Sequence, residues 1–249
     1  MPKKRSIKRK FISILIPVLN DKNGLKKTLK SIFNQSFTDY EVIVIDGKSG
    51  DGTLSVIKSF RKKIKIFLSE TDKGIYDAIN KGIKLSTGKY INIINANDTY
   101  FNKNSLETAK KFLIKNNYDF LFGAVLKKKV YYKYEPEKMR WSFNFYPAHS
   151  GGFFVKKKIH NEIGLYNLKY PCSSDYDFFW RMIKSQKYKG GQTSKYDIIS
   201  KFEGGGFSSK YSFFEHVLEE TLIRINNKQN KIFVLILFFL RCIRHFSKI

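Results

Sequence analysis

The 249-residue sequence predicts an α/β protein built on a parallel sheet with helices on both faces. Three observations carry that prediction. Short apolar or β-branched runs alternate with helical patterns from residue 11 to 98. Polar clusters stand at the ends of those runs, at Asn20, at Asp46 to Asp51 and at Asn95 to Asp98. Hydrophobic residues make up 42% of the chain, enough for a core and too many for a disordered segment.

Phe11–Leu19 is an apolar run of strand length, after which Asp21 or Asn23 can cap a helix. In that helix Leu25, Leu29, Ile32 and Phe33 share one face. Glu41–Ile45 reads as a second buried strand ending at Asp46-Gly47, and Thr53–Phe60 as a short helix. Ile64–Leu68 reads as a third strand. Ile75, Ile79 and Ile83 recur every fourth residue in a helix that ends near Gly88, and Tyr90–Ile94 is a fourth strand. Sheets of this kind bind ligands beyond the carboxyl ends of their strands, where the polar clusters lie. The second half is less regular. Tyr118–Gly123 reads as a strand, Val130–Tyr134 as an aromatic edge strand, and Ser173 or Ser174 can cap a helix through Phe178, Phe179, Met182 and Ile183.

Lys and Arg outnumber Asp and Glu by 47 to 21, and the resulting +26 attracts polyanions: nucleic acid, an anionic membrane surface or a phosphorylated substrate. The basic residues spread along the chain, and no nucleic-acid motif accompanies them. Cys172 and Cys242 form no metal or redox spacing, and the four histidines include no His-x-x-x-His pair. Residues 1–10 read as a basic tail rather than a secretory leader, because Pro17 interrupts the following apolar run and no small-residue cleavage site follows it. Ile232–Leu240 is a run of nine apolar residues flanked by Lys231, Arg241, Arg244 and His245. A spanning helix needs roughly 20 such residues, so the segment suits either an interfacial helix or a helix packed on the fold.

The acids at the predicted strand ends can carry chemistry. Asp46 can accept hydrogen bonds from a base or a ribose, or simply close an Asp-Gly turn. Asp98, with neutral Asn95 and Asn97, can offer the one or two ligands that a hard cation bridging phosphates takes from protein. Asp175 sits at a helix start, where the dipole favours a carboxylate whatever its role, and it can also act as a general base.

Ile14 to Asn20, Asp46 to Thr53, and Ser69 to Gly82 occur in the order and spacing of the family-2 glycosyltransferases. Asn95 to Asp98, His149, Asp175-Tyr176-Asp177 with Arg181, and Gly205 to Ser209 continue the resemblance over residues 11 to 210. The stretch Asp72 to Ala78 looks like the bacterial branch that builds exopolysaccharide and lipopolysaccharide, including colanic-acid-type transferases. The resemblance implies a GT-A fold with a Rossmann-like nucleotide-binding sheet, an inverting transfer, and Mn2+ or Mg2+ as cofactor. It places Pro17, Asn20 and Asp46 in the nucleoside pocket, and Lys73 and Asp77 against the donor. Asn97 would lie beside the metal ligand Asp98, His149 near the acceptor or leaving group, and Asp175 would be the base that deprotonates the acceptor. Three departures stand out. Lys48 and Gly50 intrude in the second motif, Asn95 and Asn97 replace acids in the metal motif, and Ser174 precedes the base.

The expected organisation is a basic tail (1–10) and a glycosyltransferase domain (11–210) with a nucleotide-sugar half (11–100) and an acceptor half (101–210). A helical tail (211–249) that can lie on a membrane follows. The expected partners are a nucleotide-diphosphate sugar, a glycan or lipid-linked acceptor and an anionic membrane surface, without nucleic acid. The expected location is the inner face of the plasma membrane. Two other readings stay open: an inactive binding protein on the same fold, suggested by Asn97 and Lys48, and a basic nucleic-acid-binding protein.

Overall fold

A computed structural model describes residues 9–147, 149–204 and 207–245. Most of the basic tail, with Gly205 and Gly206 of the last motif, therefore lies outside the described residues. The first half follows the predicted alternation: β1 (Ile12–Val18), α1 (Lys22–Phe33), β2 (Tyr40–Asp46), α2 (Thr53–Ser59), β3 (Ile66–Ser69), α3 (Ile75–Leu85) and β4 (Tyr90–Ile93). Of the two candidate caps for α1, Asp21 serves: its Oδ1 accepts the Gly24 N–H at 2.8 Å.

Then come β5 (Thr99–Tyr100), α4 (Ser105–Lys115), β6 (Phe120–Phe122), β7 (Ala124–Leu126), β8 (Val130–Tyr131) and β9 (Phe153–Lys156). The chain continues through α5 (Lys157–Ile163), α6 (Ser174–Lys184), β10 (Gly190–Gln192), β11 (Ile198–Lys201), α7 (Phe213–Asn226) and α8 (Lys231–Arg244). The main sheet has the order β10-β6-β9-β4-β1-β2-β3, and a smaller one the order β5-β11-β7-β8.

One expectation needs correction: the main sheet is mixed, not parallel. β1 pairs in parallel with β2 and β4, but β9 lies antiparallel between β4 and β6. An antiparallel neighbour needs no crossover helix, so the strand left no βαβ signature in the sequence. Its entry depends on close backbone approach. The Gly123 N–H donates to the Gly152 carbonyl at 2.7 Å, and a Cβ on Gly152 would come within 2.4 Å of the Gly123 carbonyl oxygen.

Alternate residues of the strands enter two cores, as a pleat of period two requires. Leu15, Ile43, Ile45, Ile91 and Ile93 pack with α3 and α6 on one face. Ile14, Ile16, Val42 and Val44 pack with α1, α2 and α4 on the other. Both faces are thus covered, which explains why these strands read as continuous apolar runs.

The C-terminal helices belong to the packed body. Arg224 of α7 is fully buried; its Nε donates to the Tyr176 hydroxyl at 2.7 Å, and its guanidinium lies 4.7 Å from the Trp180 ring centroid. Arg241 of α8 pairs with Glu220 of α7 and covers Phe143 at 4.5 Å. Among the described residues no helix is long and apolar enough to cross a membrane.

Candidate active site

Asp46 ends β2 and is fully buried. Its carboxylate accepts the Ser49 N–H at 3.1 Å and the Ser69 hydroxyl at 2.6 Å, which fixes the turn after the strand. Asn20, just beyond β1, has φ +49°; its N–H donates to Ser49 Oγ at 2.8 Å and its side-chain oxygen accepts the Gly50 N–H at 2.9 Å. The loops after β1 and β2 are thereby laced together. Pro17 stands beside Ile45 in the same pair of strands. Lys48 is exposed, with φ +64°, a left-handed conformation that glycine adopts without strain.

Lys73 is exposed, and its backbone N–H donates to Asp77 Oδ2 at 3.0 Å. Asp77 pairs with Lys81 at 3.4 Å, and Lys81 also holds Asp72 at 2.6 Å and Glu70 at 2.9 Å. The start of α3 is therefore an ordered polar rim with the Lys73 side chain turned to solvent.

Beyond β4, Asp98 is buried, and burial pushes its carboxyl up to about 7. It accepts the Glu203 N–H at 3.2 Å, and the Glu203 charge raises it further. Nearby in sequence, the side-chain oxygen of Asn95 is buried without a hydrogen-bond partner, and Asn97 has φ +75°. A buried acid that resists ionisation, together with an orphaned hard oxygen on the same loop, fits a cation that takes few protein ligands. Among the described residues no cluster of three or more His, Cys, Asp or Glu could hold a metal by itself. Phosphates and water would have to complete the coordination.

Asp175 lies in the first turn of α6. Of the two predicted caps Ser173 takes the N-cap position, its carbonyl accepting the Asp177 N–H at 3.2 Å but its side chain making no capping bond, while Glu219 of α7 fixes the approach to the helix by accepting the N–H groups of Cys172 at 3.1 Å and Ser173 at 2.9 Å. Asp175 Oδ1 accepts the Tyr76 hydroxyl at 3.0 Å. Burial pushes the Asp175 carboxyl above its ordinary range, and the Tyr76 bond opposes that shift. Asp177 and Arg181 do a different job. Their pair at 2.9 Å holds the loop before α6, with Arg181 donating to the Leu165 carbonyl at 2.8 Å.

Asp175, Tyr76, Asn95 and His149 line one cavity of about 290 Å³, joined by His216 and Glu220 of α7. His149 stacks on Phe202 at 4.1 Å, and burial lowers its ring to about 4, so it is neutral at pH 7. The chain runs directly from Phe202, in the cavity wall, to Glu203, on Asp98. Pro17, Asn20, Asp46, Lys73, Asp77, Asn97 and Asp98 are not among the residues that line this cavity.

Three residues of the cavity wall, Tyr76, His216 and Glu220, and two that brace it from outside, Glu203 and Glu219, have no role assigned from the sequence. Tyr76 lay inside the stretch quoted for its resemblance. Glu219 and Glu220 are adjacent acids in a basic tail, a signal that was available. His216 and Glu203 carried none.

The architecture is the α/β GT-A fold found in solved glycosyltransferases. S. aureus TarS 1–349 in complex with UDP-GlcNAc superposes with TM-score 0.69 at 18% identity, covering 95% of this chain and 73% of that one. The mannosyltransferase PcManGT from Pyrobaculum calidifontis, in complex with GDP-Man and Mn2+, gives 0.68 at 16% identity, covering 93% and 68%. The chain spans only 43% of a longer TarS chain. Residues 13–184 match the profile of Glycosyl transferase family 2, and the chain belongs to that family. A PGL/p-HBAD biosynthesis glycosyltransferase of Mycobacterium bovis is 29% identical over 176 residues, 68% of each chain. An Escherichia coli UDP-Glc:alpha-D-GlcNAc-diphosphoundecaprenol beta-1,3-glucosyltransferase is 28% identical over 114 residues, 45% of each.

Proposed function

We propose that this glycosyltransferase moves a sugar from a nucleotide-diphosphate donor to a hydroxyl of a lipid-linked glycan, with inversion at the anomeric carbon, in surface-polysaccharide synthesis. One observation carries the reading. Asp175, on the second half of the fold, and Asn95, on the strand-end loop that carries Asp98, open onto the same cavity.

On this reading Pro17, Asn20 and Asp46, at the ends of β1 and β2 outside that cavity, would meet the nucleoside, with Lys73 and Asp77 at the donor rim. Asp98, helped by Asn95 or Asn97, would hold Mn2+ or Mg2+, which when bound neutralises charge on the donor diphosphate. Asp175, ionised, accepts the proton of the acceptor hydroxyl. The hydroxyl oxygen forms the new bond to the anomeric carbon on the face opposite the diphosphate. The anomeric carbon's existing bond to the diphosphate oxygen breaks, and the nucleoside diphosphate departs with its electron pair. Neutral His149 can donate or accept one hydrogen bond at the cavity wall.

The tail supports a membrane-bound acceptor. One apolar face of its last helix points outward on a chain of net charge +26, so the enzyme would sit peripherally on an anionic membrane at the cytoplasmic face. The diphosphoundecaprenol acceptor named for the Escherichia coli relative agrees with this.

Transfer to a lipid-linked acceptor followed by NMR of the new linkage tests the mechanism. The product anomer should be opposite to the donor's; retention would refute the single displacement. Tyr76→Phe should lower kcat modestly, about tenfold, because the loss is one hydrogen bond to a charged group. It should also move the acid limb of the pH profile to higher pH. The sign follows from the bond: Tyr76 stabilises ionised Asp175, so its removal raises a carboxyl already raised by burial. An unmoved acid limb would argue against Asp175 as the titrating base.

A further inference from the structure

A second groove, of about 1000 Å³, shares no lining residue with the cavity above. Its walls are the turn at Arg140 and Trp141, the end of α6 at Trp180 and Lys184, and the α7–α8 connection at Lys228. Three cations, Arg140, Lys184 and Lys228, face a single acid, Glu137. Lys184 is tied to the Asn227 carbonyl, whereas Arg140 and Lys228 are exposed. The backbone beneath is fixed, with the Arg140 carbonyl accepting from Gln229 at 2.6 Å and from buried Arg224 at 3.3 Å. Trp141 is 54% exposed, and the indole N–H of buried Trp180 has no acceptor.

Phe233 forms the lip of this groove and also begins the bare face of α8. Ile232, Ile236, Phe239, Leu240 and Ile243 are all exposed there, the outermost at 72% and 73%. At 3.6 residues per turn they fall within an arc of about 100°, a continuous apolar stripe along the helix. Lys231 and Arg244 are exposed at its two ends. Phe214, Leu218 and Leu222 of α7, exposed at every fourth residue, widen the apolar surface.

We propose that the groove is a binding site for the phosphate headgroup of an anionic lipid, engaged while the apolar face of α8 lies in the membrane interface. The proposal rests on the membrane reading given above and adds a specific site to it. Unpaired cations supply charge complementarity to phosphate, exposed indole suits headgroup depth, and continuity with the apolar face favours a lipid over a free anion.

Both tryptophans of the chain line the groove, so intrinsic fluorescence reports on it. The full chain is titrated with phosphatidylcholine vesicles with and without phosphatidylglycerol, following tryptophan emission and co-sedimentation. The expected result is a blue shift and at least roughly tenfold tighter binding with the anionic lipid. Arg140→Gln/Lys228→Gln, checked for an unchanged melt, should weaken that preference by about tenfold or more while retaining weak binding to neutral vesicles. Retention of the preference, or no emission change, would overturn the groove and leave membrane binding standing. Ile236→Asp/Phe239→Asp should abolish binding to both vesicles; unaffected binding, or none by the unaltered chain, would overturn the membrane reading and the groove together. Inorganic phosphate that reproduces the emission change in the absence of vesicles would overturn the lipid as occupant.

Discussion

Asp175→Asn is expected to lower kcat by roughly two to four orders of magnitude while leaving the fold and donor binding unchanged, as loss of a general base does. The substitution keeps the size of the side chain and its ability to accept the Tyr76 hydroxyl, which donates at 3.0 Å. It removes only the capacity to take a proton. Raised by burial, the native carboxyl is a better base than a solvent-exposed one, provided the pH holds it ionised. Single-turnover rates at saturating donor, with a melting curve alongside, separate this outcome from unfolding. A rate within a few-fold of the native enzyme would remove Asp175 from the mechanism.

Asp98→Ala is expected to reduce kcat/KM by about 10²–10³-fold, the usual loss when a group stabilising leaving-group charge is deleted. The same change should not destabilise the cation-free protein. Asp98 has a folded value near 7 against an ordinary carboxyl near 3.9, so the native state holds the proton that the unfolded state releases. Stability of the native chain therefore declines as pH rises between those values, and the variant should lack that decline. Urea titrations in EDTA across that window measure it. A variant that unfolds more readily at pH 7 than at pH 4, relative to the native chain, would contradict the assigned environment.

The first half of the fold is legible because β1, β2 and β4 are buried on both faces and each helix carries an apolar stripe. Ile14, Val42 and Ile91 announce strands, and Leu25, Leu29 and Ile32 announce α1. The antiparallel β9 was hidden for the opposite reason. Phe153 to Val155 is too short for a period, and its place is set by Gly123 meeting Gly152 across the chain. Motif order brought Asp98, Asp175 and His149 forward as candidates. Tyr76, Glu203 and Glu220 acquire meaning only when α3, β11 and α7 converge, since their partners lie far away in sequence. The apolar run at Ile232–Leu240 left two readings open, and both have support in the fold. Val234 is buried and Leu237 packs on the core, while Ile236 and Phe239 face outward.

The most direct measurement is the melting temperature of the purified chain with a panel of UDP- and GDP-sugars, with and without Mn2+. Because binding stabilises the native state by mass action, a donor at 100 times its Kd should raise Tm by roughly 5–10 °C. At least one nucleotide sugar should do so in the presence of Mn2+, and Asp98→Ala should abolish the Mn2+-dependent part. If no nucleotide sugar shifts the melt under either condition, the strand-end loops of β1, β2 and β4 do not form a donor site.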